Sequence, residues 1–198
     1  MFYFHEEAVH DVNLIVGAPN KQLVLELFTN SHSVYATTLD KFVLRFTVGE
    51  GITFAKSLDL KTAASKGIGC ADDVLYVLKS NGELEEVDAV ELAVKRSHKL
   101  AYEATTITYS SATKELWVGD KKGILHVLST ADFSEVNAIE KHSKAVTCIT
   151  VSPDGSQIAS GDGYRYQYTW DAANKAMVGE YGFQKDKILS LRYNKAGD

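Results

Sequence analysis

The sequence predicts an all-β protein built from small stacked sheets, on three observations. Its apolar segments are short, rich in β-branched and aromatic residues, and broken by Gly, Asp, Asn and Ser, which is the pattern of strands and turns. No window sustains the 3.6-residue period of an amphipathic helix. The chain also repeats itself at intervals of 41 or 42 residues. A period of about 40–45 residues with four short strands is that of a β-propeller blade, a twisted sheet covered on both faces by its neighbours.

The units follow in order. "SVYATTLDKFVLRF" supplies the second and third strands of the first unit, near 33–46. Its first strand is assigned to "LVLELF", because Leu25 and Leu27 stand 124 residues before Ile149 and Val151 and leave a normal turn before Val34. "HEEAV" resembles "HSKAV" around His142 at a spacing of 137, which gives an alternative first strand from Val9. With "LVLELF" chosen, residues 5–16 are expected to be a strand of an earlier blade. In the second unit, near 74–87, Leu75, Tyr76 and Val77 follow Val34, Tyr35 and Ala36 by 41. In the third, near 116–128, Leu116, Trp117, Val118 and Gly123 follow Leu75, Tyr76, Val77 and Gly82 by 41. In the fourth, near 157–170, Ile149, Val151, Ile158, Gly161 and Asp162 follow Ile107, Tyr109, Leu116, Gly119 and Asp120 by 42. A fifth begins in "KILSLRYNKAGD", with Ile188, Leu191, Tyr193 and Gly197 following Val146, Ile149, Val151 and Gly155 by 42. It holds one strand, near 187–193, and the first turn. The expected blades are 22–48, 60–90, 101–131 and 142–175, with a partial blade at 186–198, all in one domain.

Composition narrows the function. The 198 residues suffice for one sizeable core, and 45% hydrophobic with 24% charged residues is ordinary globular composition. No apolar stretch is long enough to span a bilayer, and "MFYFHEEAVH" lacks the basic start of a signal peptide, so no membrane partner is expected. The net charge of −5, with no basic cluster, argues against nucleic acid. Cys70 and Cys148 lie far apart and no N-x-S/T sequon occurs, which fits a reducing, intracellular setting.

The local motifs favour structure over chemistry. In "HEEAVH" the histidines are five apart, so the H-E-x-x-H zinc spacing fails. "SKGIGCADD" has Gly-x-Gly but no third glycine, and reads as a turn between blades. "VGAPNK" lacks the frame of a phosphate loop. Cys148 falls in an inner strand as a small core residue, and Cys70 has no neighbouring base in the sequence. Tyr164, Tyr166, Tyr168 and Trp170 alternate along one strand; they read as packing between blades, with a ligand platform as the alternative. Glu83, Glu85, Glu86 and Asp88, continued by Glu91, read as a solvated strand and loop, or as an acidic interaction patch for a basic partner. No catalytic triad, paired carboxylates or metal cluster emerges. A non-enzyme that needs no cofactor is expected.

The last complete unit resembles a WD-repeat. "AVTCITVSPDGSQIASGD" has the first strand, the Ser-Pro-Asp-Gly turn and a second strand ending in Ala-Ser-Gly, and Trp170-Asp171 closes the third strand. In that family a buried His, Ser, Asp and Trp form a hydrogen-bond chain. The resemblance assigns these roles to His142, Ser160, Asp162 and Trp170. The usual repeat places the acid three residues after the serine, where this chain has Gly163, so Asp162 stands one residue early. Gln167 and Thr169 fall where apolar residues are usual, and in the third unit Leu128 and Val118 replace Trp170 and Ser160.

"EKHSKAVTCITVSPDGSQIASGD" with the closing Trp-Asp, and "ELWVGDKKGILHVLS" before it, resemble the second propeller of the actin-interacting protein 1 family, across roughly residues 30–198. The resemblance implies a cytoplasmic, cytoskeletal protein that binds actin filaments with cofilin and promotes their disassembly. The alternatives are a WD-repeat scaffold of another complex (trafficking, ciliary or ubiquitin-ligase) and, more remotely, a propeller enzyme. Such propellers usually have seven blades. Four units and one strand are therefore expected to be a fragment, rather than a small closed ring or a chain that pairs with another. Open blade edges would also permit self-association.

Overall fold

The computed structural model of the chain describes residues 24–29, 33–38, 40–61, 65–71, 73–182 and 186–197. Sixteen strands occur among them, grouped as four antiparallel four-stranded sheets. Blade 1 contains β1 (Val24–Thr29), β2 (Ser33–Thr38), β3 (Phe42–Val48) and β4 (Ile52–Asp59). Blade 2 contains β5 (Ser65–Cys70), β6 (Val74–Lys79), β7 (Glu83–Asp88) and β8 (Val94–Lys99). Blade 3 contains β9 (Ala104–Ser110), β10 (Glu115–Asp120), β11 (Ile124–Ser129) and β12 (Glu135–Glu140). Blade 4 contains β13 (Val146–Val151), β14 (Gln157–Asp162), β15 (Gln167–Asp171) and β16 (Met177–Tyr181). The blades stand in a row whose first strands touch in sequence, β1 to β5 to β9 to β13.

The sheets are wider than the units 22–48, 60–90, 101–131 and 142–175, which omit or curtail the fourth strand of every blade. The reason is burial. Strands β6, β10 and β14 are buried on both faces and carry apolar residues at repeating central positions, whereas β8 "VKRSHK" and β16 "MVGEY" are largely exposed. An outer strand with both faces wet carries no apolar alternation to betray it. A second difference concerns 187–193, which forms no assigned strand. It still occupies the place of a next first strand: Ile188 N donates to Asp162 O at 3.2 Å, and Thr147 Oγ donates to Ile188 O. Thr105 makes the same stitch one blade earlier, its hydroxyl shared between Gly119 O at 2.9 Å and Val146 O at 2.6 Å. The assignment of "LVLELF" matches β1, which pairs with β2 through Leu27↔Ala36 and Thr29↔Val34. The strand expected at 5–16, with "HEEAVH" and "VGAPNK", lies outside the described residues.

"SKGIGC" is the strand β5 rather than a turn. Gly69 is needed there because a Cβ would sit 3.1 Å from Tyr109 Cβ on β9, and glycine lets the two backbones approach. Turn chemistry repeats with the same period. Lys41, Gly82, Gly123 and Arg165 all hold left-handed φ in the hairpin between second and third strands, and Lys114, Gly155 and Gly197 do so between first and second. Gly197 N bonds to Asn194 O at 3.1 Å as Gly155 N bonds to Ser152 O at 2.9 Å, so the expected first turn of a fifth unit is formed. Separate apolar clusters fill the three gaps between blades. Tyr35, Val43 and Leu75 lie in the first, Tyr76, Leu116 and Leu128 in the second, and Trp117, Tyr168 and Trp170 in the third.

Candidate functional site

The loop between β12 and β13 places His142 against the ends of β14 and β15. Its Nε2 lies 2.7 Å from Ser160 Oγ, and Trp170 Nε1 donates to that same oxygen at 2.9 Å. Its Nδ1 lies 3.1 Å from Asp162 Oδ2. The indole can only donate, so with a neutral imidazole one proton order satisfies every group. Trp170 donates to Ser160, Ser160 donates to His142 Nε2, and His142 Nδ1–H donates to Asp162. The early acid does not break the chain, because Asp162 is the last residue of β14 and its Oδ1 also accepts Tyr164 N at 2.8 Å and Tyr166 N at 3.0 Å. It thereby folds the following hairpin around the histidine. Burial holds the His142 pKa below its ordinary value, against the opposing pull of Asp162. The side chains of His142 and Asp162 have no solvent exposure, so the network ties the blade together and offers nothing to a substrate.

The aromatic ladder changes character along its length. Trp170 and Tyr168 are buried against Trp117, Leu125 and Val127 of blade 3. Tyr166 stacks on Tyr168 at 6.2 Å and Tyr164 on Tyr166 at 6.4 Å, and Tyr164 is 57% exposed at the hairpin tip. The inner half is packing and the outer half is surface. Asp171 then caps the next turn, its Oδ1 accepting Ala173 N and Asn174 N, both at 2.9 Å.

The same location in the other blades holds different chemistry, which whole-unit matching to a WD-repeat misses. In blade 3, Asp120 stands for Asp162, His126 for Tyr168, and Tyr102 takes the place of His142 on the preceding loop. Histidine and tyrosine have exchanged positions. The two rings stack at 3.5 Å and 5°. His126 Nδ1 lies 2.5 Å from Glu135 Oε2, and Asp120 Oδ1 accepts Lys122 N and Ile124 N at 2.9 and 2.7 Å. Burial, with Glu135 and Asp120 nearby, pushes the Tyr102 hydroxyl pKa up. In blade 2 the pair is Lys79 and Glu85, buried and 2.5 Å apart. Burial opposes the Lys79 charge, yet Glu85 and Glu83 hold its pKa above the ordinary value. Blade 1 has Thr38 and Leu44 there, both buried. Asp120, Lys79 and Thr38, and His126, Glu85 and Leu44, stand at successive repeats of 41 or 42 residues before Asp162 and Tyr168, whereas Tyr102 falls out of step because its loop has a different length.

The acidic stretch is not an open anionic surface. Glu85 is buried on Lys79, Glu83 lies 3.3 Å from the same ammonium, and Glu86 pairs with Arg96 at 2.5 Å. Asp88 pairs with Lys95 at 3.2 Å and accepts Val90 N and Glu91 N. Glu91 pairs with Lys56 of blade 1 at 2.7 Å. The cations sit mostly on neighbouring strands, so the sequence run alone hid the neutralisation. Among the described residues no group of His, Cys, Asp and Glu could hold a metal ion.

No family model matches the chain. It is 21% identical over 183 residues to an "Uncharacterized WD repeat-containing protein" of Schizosaccharomyces pombe, a match covering 91% of this chain and 30% of that protein. It is 25% identical over 136 residues to the "U3 small nucleolar RNA-interacting protein 2" of Homo sapiens, covering 60% of this chain and 29% of that one. The chain thus spans at most about 30% of the length of these relatives. Among solved structures, a chain of the mitotic checkpoint complex superposes with a TM-score of 0.74 at 15% identity, over 89% of this chain and 56% of that one. The computationally designed Ika8 protein gives 0.70 at 18%, over 86% and 52%. Four-stranded blades, their stitched first strands and these likenesses lead to one conclusion: in fold, the chain is a row of WD-repeat β-propeller blades.

Proposed function

We propose that the chain is a protein-binding scaffold that works by contact, with no bond chemistry of its own. The fate of its reactive side chains carries this reading. His142, Ser160, Asp162 and Trp170 are closed inside blade 4 and committed to one another, whereas most loop residues at both ends of the blades are exposed. Exposed loops on a rigid scaffold are where binding residues concentrate. The WD-repeat relatives support the same reading. The human relative is named as RNA-interacting, but the net charge of −5 here favours a protein partner over direct RNA contact. Affinity capture with the folded chain tests the reading, using the urea-denatured chain, immobilised and washed, as the unfolded control. Stoichiometric protein partners held only by the folded chain are expected, and none held would overturn it.

A finer reading rests on the sequence resemblance to the actin-interacting protein 1 family. In it the partner is the cofilin-decorated actin filament, and the place of action is the cytoplasmic cytoskeleton. Filament pelleting separates it from another scaffold role: the chain should sediment with actin only when cofilin is present. Equal sedimentation without cofilin, or none with it, rejects the actin reading and leaves the general scaffold.

A further inference from the structure

We propose that one loop end of blades 3 and 4 is a docking surface for an acidic, extended peptide segment of a protein partner. Three loops converge there: 121–123, 141–145 and 163–166. Gly123 lies so close to the middle loop that a Cβ would meet Lys144 O at 2.8 Å, and Gly163 N donates to Ala145 O at 3.0 Å. Lys121, Lys122, Lys141, Lys144 and Arg165 are all exposed on these loops. Glu103 holds Lys121 at 3.1 Å, and Glu180 holds Lys141 at 3.2 Å. Lys122, Lys144 and Arg165 have no ion pair among the described residues. Of the nearby acids, Asp120 and Asp162 are buried and turned into their own hairpins, and Glu140 beside Lys141 is exposed, so the cations outnumber the free acid. The exposed Tyr164 ring, backed by Tyr166, completes the patch with a flat apolar contact.

A cluster of unpaired cations on a chain of net charge −5 is a local reversal of sign. On the turns at the opposite end of the blades, exposed acids without an ion pair among the described residues (Glu50, Asp73, Asp132 and Asp154) outnumber such cations (Lys114 and Lys195). This polarity orients an acidic partner toward the 121–166 loops before contact. Three free cations suit a peptide carrying a few carboxylates and an apolar side chain for Tyr164. They are few for a polyphosphate backbone, whose affinity grows with the number of phosphates neutralised and which the remaining acids repel.

The inference rests on the scaffold reading above, and its test separates the two. Fluorescence anisotropy of a short labelled peptide of glutamate, glycine and leucine is measured with the wild-type chain. The triple variant Lys122→Glu, Lys144→Glu, Arg165→Glu is compared with Lys195→Glu at the opposite end. Loss of three exposed ion pairs predicts binding weakened about ten-fold or more in the triple variant and unchanged in Lys195→Glu. The glutamine version of the peptide should not bind. Urea unfolding verifies that the triple variant folds, and Lys122→Gln with Lys144→Gln replaces it otherwise, with a smaller loss expected. Equal binding by all variants, no binding by the wild-type chain, or tighter binding of oligouridylate of equal length would overturn the proposal. A triple variant that still captures the same protein partners would overturn it while leaving the scaffold reading intact.

Discussion

At the scale of single residues, Ser160 carries more than its size suggests. Its hydroxyl is at once the acceptor for Trp170 and the donor to His142. Ser160→Ala leaves an indole N–H and an imidazole nitrogen buried and unpaired, which should cost about 1–3 kcal/mol in urea unfolding. Trp170→Ala adds a large cavity facing Trp117 and should cost about 3–5 kcal/mol. A loss below about 1 kcal/mol for Trp170→Ala would mean that this ring is not in the core. His142 sets a pH dependence. Its folded pKa is depressed by burial below the ordinary 6.5, so the unfolded chain binds the proton more readily. The His142 contribution is therefore complete above 6.5 and is lost as pH falls below it. His142→Gln should flatten the stability profile on the acid side of 6.5, and an unchanged slope would remove this histidine from the account. Sequence resemblance pointed to His142, Ser160, Asp162 and Trp170. It did not reveal the Tyr102–His126 exchange, because that pair reverses the order in which the two residue types occur.

At the scale of the strand, glycines set the spacing between blades. A Cβ on Gly119 would meet Val146 Cβ at 2.6 Å, and one on Gly161 would meet Ile188 Cγ2 at 2.7 Å. These are equivalent positions in β10 and β14, each facing the next unit's first segment. Gly119→Ala should cost about 1–3 kcal/mol by overpacking. Gly161→Ala should chiefly displace residues 186–193 and speed their amide exchange, while blade 1 is unaffected. The inner strands were legible because both of their faces are buried, which leaves a short apolar centre at the same repeat position in each: Leu75 to Leu78 in β6, Leu116 to Val118 in β10 and Ile158 with Ala159 in β14. The fourth strands were not, since β4 and β8 are held by backbone pairing to a neighbour and show almost no buried face. The acidic run was misread for a related reason: the partners of Glu85 and Glu86 are cross-strand neighbours that sequence order separates.

At the scale of the molecule, the blades behave as a stack in which each contacts only its neighbours. The apolar clusters between blades 1 and 2, 2 and 3, and 3 and 4 are distinct. Damage should therefore spread locally. Trp117→Ala, at the gap between blades 3 and 4, should raise exchange in β9–β16 and leave β1–β4 unchanged. Periodicity made the stack legible, because one unit's core positions recur at 41 or 42 residues. The docking surface was not legible, because its cations come from three loops that only the fold brings together.

Hydrogen–deuterium exchange along the whole chain tests the blade architecture most directly. Protection should recur with the sequence repeat, highest in Val74–Lys79, Glu115–Asp120 and Gln157–Asp162. It should be lowest, within each blade, in Val94–Lys99, Glu135–Glu140 and Met177–Tyr181. Protection that is uniform, or greater in the fourth strands than in the second, would contradict a row of blades whose second strands are buried between neighbours.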